Sequence, residues 1–150
     1  MSSLAEYQEA LTESLAKANL VPGSAAGLIP AGFRPTTKLH VRFSNKAVEN
    51  GTFFRASECK EAPRLKFAPE DKTRRNDSDD DDDDDVDNAN TSYSFILTDP
   101  DAPTPDDPKF AFWRHWVLSG LRPQAVGDTA DAVAAASELT AYLGPGPKDE

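Results

Sequence analysis

The chain has little of what an exported, membrane-spanning or nucleic-acid-binding protein needs. Its single cysteine, Cys59, excludes an intramolecular disulfide framework. No run approaches the roughly 20 apolar residues of a membrane helix. The N-terminus, MSSLAEYQEALTESLAKANL, is charged and amphipathic and lacks the apolar core of a signal peptide. Cations are scarce, with 16 Lys and Arg against 26 Asp and Glu and a net charge of −10. Binding a phosphate backbone or an anionic bilayer needs concentrated Lys and Arg, so neither is expected as a partner. These absences describe a cytoplasmic protein, in which the sequons at Asn50, Asn76 and Asn90 are chance matches.

Apolar residues are also few, 38% against roughly 45–50% in an average globular chain. The acidic excess is local, because nine aspartates lie between Asp77 and Asp87. A block of like charge with almost nothing to bury cannot offset its chain entropy. Residues 70–91 are therefore expected to be a disordered acidic insertion within a single domain spanning 1–150. Ser78, followed by unbroken aspartate, is a candidate phosphorylation site. An EF-hand-like calcium role lacks the required Gly and Glu placement.

Outside that run the chain reads as scaffold. Leu4, Tyr7, Leu11, Leu15 and Ala18 recur at three- and four-residue steps, which predicts an amphipathic helix capped by Ser2 or Ser3 and ended by Pro22-Gly23. Residues 21–36 read as a connector. Leu39, Val41 and Phe43 alternate with polar neighbours as a half-buried strand, with His40 on its solvated face. Asn50-Gly51 predicts a two-residue hairpin, Thr52-Phe53-Phe54 starting the return strand. Leu65 and Phe67, between Pro63 and Pro69, predict a short edge strand. Alanine-rich Thr129–Thr140 has good helix propensity.

The chemistry concentrates in Ser92–Leu121, SYSFILTDPDAPTPDDPKFAFWRHWVLSGL. An apolar run leads into Asp99 and Asp101, each set beside a proline, and a second apolar run carries His115. Proline fixes its own φ and biases the residue before it, so this turn holds its carboxylates stiffly. Ala102-Pro103 is a candidate cis bond. If the two flanking strands are neighbours, Asp99 orients the imidazole and its other nitrogen meets an anion. The Gly144-Pro145-Gly146-Pro147 turn offers backbone N–H groups to the same anion. An enzyme reading is weaker. Asp99-x-Asp101 superficially matches a metal-binding Asp-x-Asp, but no phosphate-binding glycine loop or βαβ alternation accompanies it. No serine sits in a nucleophile elbow, and an Asp/His metal pair is incomplete. No catalytic residue, metal site or cofactor is assigned; an Asp/His metal-assisted hydrolase stands as the alternative.

Several motifs together resemble the phosphatidylethanolamine-binding protein family: Thr98-Asp99-Pro100-Asp101-Ala102-Pro103, Asp107-Pro108-Lys109-Phe110, Trp113-Arg114-His115-Trp116-Val117-Leu118 and Tyr142-Leu143-Gly144-Pro145-Gly146-Pro147. The N-terminal helix and acidic insertion look most like the fungal branch that contains the carboxypeptidase Y inhibitor. The resemblance implies a mainly β fold, with a large antiparallel sheet packed on a smaller one, an N-terminal helix and peripheral helices. It also implies an anion or phospholipid head-group pocket lined by Asp99, Asp101, Pro103 and His115, with Gly146 supplying a backbone contact. Phe110 stands where the family often has tyrosine, so a hydroxyl contact is lost there. The implied role is non-catalytic regulation or inhibition of a partner protein, such as a serine carboxypeptidase or a kinase. In the family the Gly-x-Gly-Pro turn leads into a Gly-x-His-Arg-Tyr strand that completes the site. The chain ends before such a segment. It is accordingly expected to be an incomplete domain of low stability, or a non-functional remnant if the pocket does not form.

Overall fold

A computed structural model describes residues 3–70, 91–124 and 131–146. The acidic run and Ser78 lie outside the described residues. Helix α1 (Leu4–Lys17) is followed by strands β1 (Leu39–Phe43) and β2 (Lys46–Val48), a 3-10 turn (Ala56–Cys59) and β3 (Arg64–Phe67). Then come β4 (Tyr93–Asp99), β5 (Trp113–Leu121), a second 3-10 turn (Ala132–Ala135) and β6 (Ser137–Thr140). The strands form two antiparallel sheets, ordered β2-β1-β3 and β4-β5-β6. The second is the larger, with strands of 7, 9 and 4 residues against 3, 5 and 4.

The ends of α1 follow from its sequence. Ser3 caps it, its Oγ accepting from Glu6 N–H at 3.2 Å while the Glu6 carboxylate accepts from Ser3 N–H. The helix stops at Ala18, before Pro22-Gly23, because Asn19 takes a left-handed φ of 55°; asparagine tolerates that cap position better than most residues. Leu4, Tyr7, Leu11 and Leu15 are half-buried and no residue of α1 is fully buried. The helix lies on the flank, its stripe facing Ile29, Pro30 and Phe33 across a cavity of about 30 Å³.

The hairpin is displaced from where Asn50-Gly51 predicts it. β1 and β2 are joined through Ser44-Asn45, with Phe43 opposite Lys46 and Ser44 at φ 48°. Asn50-Gly51 does form a turn, closed by Thr52 N–H to Glu49 O at 3.0 Å, but only Gly51 has a positive φ, +79°. A type I′ hairpin requires both central residues there, so Thr52–Phe54 leaves without pairing back.

Both sheets contribute to one core. Leu65 and Phe67 of β3 meet Trp116, Leu118 and Leu121 of β5, with Ala132 beside them. The Phe67 and Tyr93 rings cross edge-on at 5.0 Å. The chain after β5 ties the sheets together: Gln124 N–H donates to Phe67 O at 2.9 Å, and Asp131 Oδ1 accepts from Leu65 N–H at 3.4 Å and Val133 N–H at 3.0 Å. This corrects the helix expected at Thr129–Thr140. Asp131 caps a single 3-10 turn, and Ser137–Thr140 pairs with the β5 edge instead. Alanine's helix propensity is worth only a few tenths of a kcal/mol per residue, a preference that tertiary context overrides.

Candidate functional site

Strand β5 lies between β4 and β6, and its pairing with β4 carries the local irregularity that matters. Leu97 is opposite Trp116 and Thr98 is opposite Arg114, which leaves His115 as the extra residue of a β-bulge. A bulge kinks the strand and re-aims the side chain at that point. His115 is half-buried, less enclosed than its aromatic neighbours imply.

Asp99 does not orient this ring. Its Nδ1 lies 2.6 Å from the carbonyl oxygen of Leu143, while Leu143 N–H donates to His115 O at 2.8 Å. A carbonyl only accepts, so Nδ1 carries the proton and Nε2 is left for a ligand. In the neutral ring Nε2 accepts; in the imidazolium it donates to an anion. Sequence reading missed Leu143 because a backbone carbonyl leaves no mark on residue identity.

The two aspartates associate with each other instead. Asp101 N–H donates to Asp99 Oδ1 at 3.1 Å. Burial, then the hydrogen bond and charge of Asp99, pushes the Asp101 carboxyl above its ordinary value, opposed by its own backbone N–H. A folded-state pKa raised above the unfolded one means that the native chain holds the proton more tightly. Stability is therefore gained as pH falls through the folded pKa and is lost above it. Asp101→Asn should melt at or above the wild-type temperature at pH 7, with the difference shrinking toward pH 4. A variant less stable than wild type at pH 7 would contradict this.

The turn then closes around its prolines. The candidate bond Ala102-Pro103 is cis, and Phe110 N–H donates to Ala102 O at 2.9 Å. Pro103 and Phe110 are exposed, and Phe110 meets Trp113 edge-on with ring centroids 6.3 Å apart. Trp113 pairs with Asp99, so the aspartate turn and the His115 bulge occupy adjoining positions on the same strand pair.

The glycine-proline turn works differently from the expectation. Gly146 is exposed, and nothing stands within 4 Å of where its Cβ would be. Gly144 is the constrained one: a Cβ there would meet Cys59 O at 2.7 Å. Beside it, Tyr142 OH donates to the same Cys59 carbonyl, and the Tyr142 ring packs on Trp116 at 5.8 Å. Gly144 thus lets the Leu143 segment lie against the Ala56–Cys59 turn at the position that holds His115. Gly144→Ala should cost about 1–3 kcal/mol, measured by urea unfolding, and should disturb the His115 ring signals; Gly146→Ala should do neither.

Among the described residues no three His, Cys, Asp or Glu side chains converge as a metal cage. No described helix is long and apolar enough to cross a membrane.

Comparison with known proteins agrees with the motifs. A family model described as Phosphatidylethanolamine-binding protein matches residues 33–150. Protein MOTHER of FT and TFL1 homolog 2 of Oryza sativa subsp. japonica is 29% identical over 128 residues, 85% of this chain and 60% of that protein. Protein FLOWERING LOCUS T of Arabidopsis thaliana is 23% identical over 128 residues, with the same coverages of 85% and 60%. Protein TERMINAL FLOWER 1 of Arabidopsis thaliana is 26% identical over 102 residues, 68% of this chain and 48% of that protein. The chain thus spans 48–60% of the length of these relatives.

Proposed function

The chain belongs to the phosphatidylethanolamine-binding protein family, and we propose that it is a non-catalytic regulator that binds a phosphate-bearing head group and acts on partner proteins in the cytosol. One observation carries the reading: the His115 ring is fixed through Nδ1 on Leu143 O, and Nε2 has no partner among the described residues. Protonated, Nε2–H donates to a phosphate oxygen in a charge-assisted bond. Asp99 and Asp101, at the adjoining turn, disfavour a bare anion and favour a ligand with a cationic end. A zwitterionic head group meets both requirements, phosphate at His115 and ammonium at the carboxylates. Pro103 and Phe110 wall the turn, and Gly146 stays open to a backbone contact. None of the relatives named above carries an enzyme's name, which agrees with a binding role.

Titration with phosphorylethanolamine and with inorganic phosphate, followed by NMR of the imidazole nitrogens, tests this. Only His40 and His115 contribute, and a His40→Gln variant assigns them. A shift at His115 Nε2 with millimolar phosphorylethanolamine, smaller with phosphate, is the expected result; no shift with either sinks the reading.

The finer kinship with the carboxypeptidase Y inhibitor branch, or action on a kinase, is a proposal about the partner. A stoichiometric inhibition assay against a serine carboxypeptidase decides it: inhibition at one chain per enzyme supports that branch, and none at a tenfold excess of chain removes it.

A further inference from the structure

Strands β1 and β3 pair with His40 opposite Lys66 and Arg42 opposite Arg64. The alternate residues Leu65 and Phe67 are buried in the core, so these four side chains share the outer face of the β2-β1-β3 sheet. Directly opposite residues stand about 5 Å apart, and alternate ones about 7 Å along the strand. Three cations and a histidine thus form a compact ladder on a chain of net charge −10. Ala47 of β2, opposite Arg42, completes the row. None of the three strands contains Asp or Glu. Glu49, Glu61 and Glu70 stand outside their ends, and Glu70 is engaged by Thr36 and Tyr93. One guanidinium nitrogen of Arg42 donates to Asn45 O at 2.8 Å. The exposed Arg64 guanidinium has no ion pair or hydrogen bond among the described residues.

Like charges placed directly opposite each other destabilise a strand pair, so packing does not account for this arrangement; an anion that bridges both arginines does. A long polyanion or an anionic bilayer would also meet the carboxylates that give the chain its negative excess. A short carboxylate-rich peptide avoids them. In an extended strand its alternate side chains repeat at the same spacing of about 7 Å, so they meet successive rungs of the ladder. We propose that this face docks a short, extended acidic segment of a partner protein. The surface is separate from the head-group residues, which stand on the other sheet and its turns.

The probe is a fluorescein-labelled peptide of six glutamates, with its six-glutamine counterpart, titrated against the full chain and read by fluorescence anisotropy. Saturable binding of the glutamate peptide alone, weakening between about 20 mM and about 150 mM salt, is the expected result. Arg64→Gln and Arg42→Gln should each weaken it about two- to fivefold. Lys109→Gln, which removes the same charge beside Asp107, should leave it unchanged. The thermal melt of Arg64→Gln should stay at or above that of wild type, because a repulsive pair is relieved; this keeps lost binding distinct from a lost fold. No binding at low salt, equal weakening in all three variants, or a lower melt with unchanged affinity in Arg64→Gln overturns the proposal. Two other occupants would overturn it as well. Tighter binding of a twelve-nucleotide single-stranded DNA than of the peptide makes the face a nucleic-acid surface. Peptide binding that emerges only when serine replaces each aspartate from Asp79 to Asp85 assigns the face to the chain's own acidic run.

Discussion

Trp116→Ala should lower the melting temperature by roughly 6–20 °C, from a loss of about 3–5 kcal/mol for a buried Trp→Ala change. The indole is 3% exposed at the centre of β5, with Phe95 edge-on at 5.7 Å on one side and Tyr142 at 5.8 Å on the other. Its Nε1–H donates to Glu138 Oε1 at 2.8 Å, fixing β6 to β5. Removing the ring leaves a cavity, leaves the carboxylate without its indole donor, and releases Tyr142 from the segment that carries Leu143. Among the described residues only Leu65, Phe67, Leu118, Leu121 and Ala132 are buried with it in this cluster, so little beside it can compensate. Differential scanning calorimetry with Ile96→Ala as an exposed control checks it. A Trp116→Ala transition within about 2 °C of wild type would show that the two sheets do not depend on this ring.

His115→Asn should leave the melt close to wild type while weakening phosphorylethanolamine binding about 10- to 100-fold, the worth of one hydrogen bond to a charged group. The asparagine amide reaches the position of Nδ1 and can donate to Leu143 O, so the strand contact survives; nothing replaces Nε2. His115→Gln inverts the comparison, placing an amide near Nε2 without the Leu143 bond, and should lose stability as well as binding. Equal binding by wild type and His115→Asn would remove the imidazole from the site. Isothermal titration with parallel thermal melts separates the outcomes.

Much of this layout is legible in the sequence because it depends on local rules. The Ser3–Glu6 box, the alternation in Leu39–Phe43 and the apolar run of β4 are each set by residues within a few positions. The stiffness of the Asp99–Pro103 turn is equally local, since proline restricts φ wherever it stands. Where local and tertiary preferences compete, the sequence reading goes astray in a consistent way. Asn50-Gly51 makes its turn, but Ser44-Asn45 makes the hairpin, because pairing depends on which segment returns alongside β1. Ala132–Ala135 has the propensity for a helix, but the open edge of β5 claims the residues that follow.

Local sequence alone places charge and proton-transfer capacity and puts Asp99, Asp101 and His115 on a strand–turn–strand unit. Their partners come from the packing of the strands. Asp99 Oδ1 accepts from the Asp101 backbone N–H, and His115 bonds Leu143 because a one-residue bulge and a glycine 29 residues downstream set the approach of backbone to ring. A bulge is a property of two strands together, and a carbonyl acceptor is the same atom in every residue. Neither is written in the side chains.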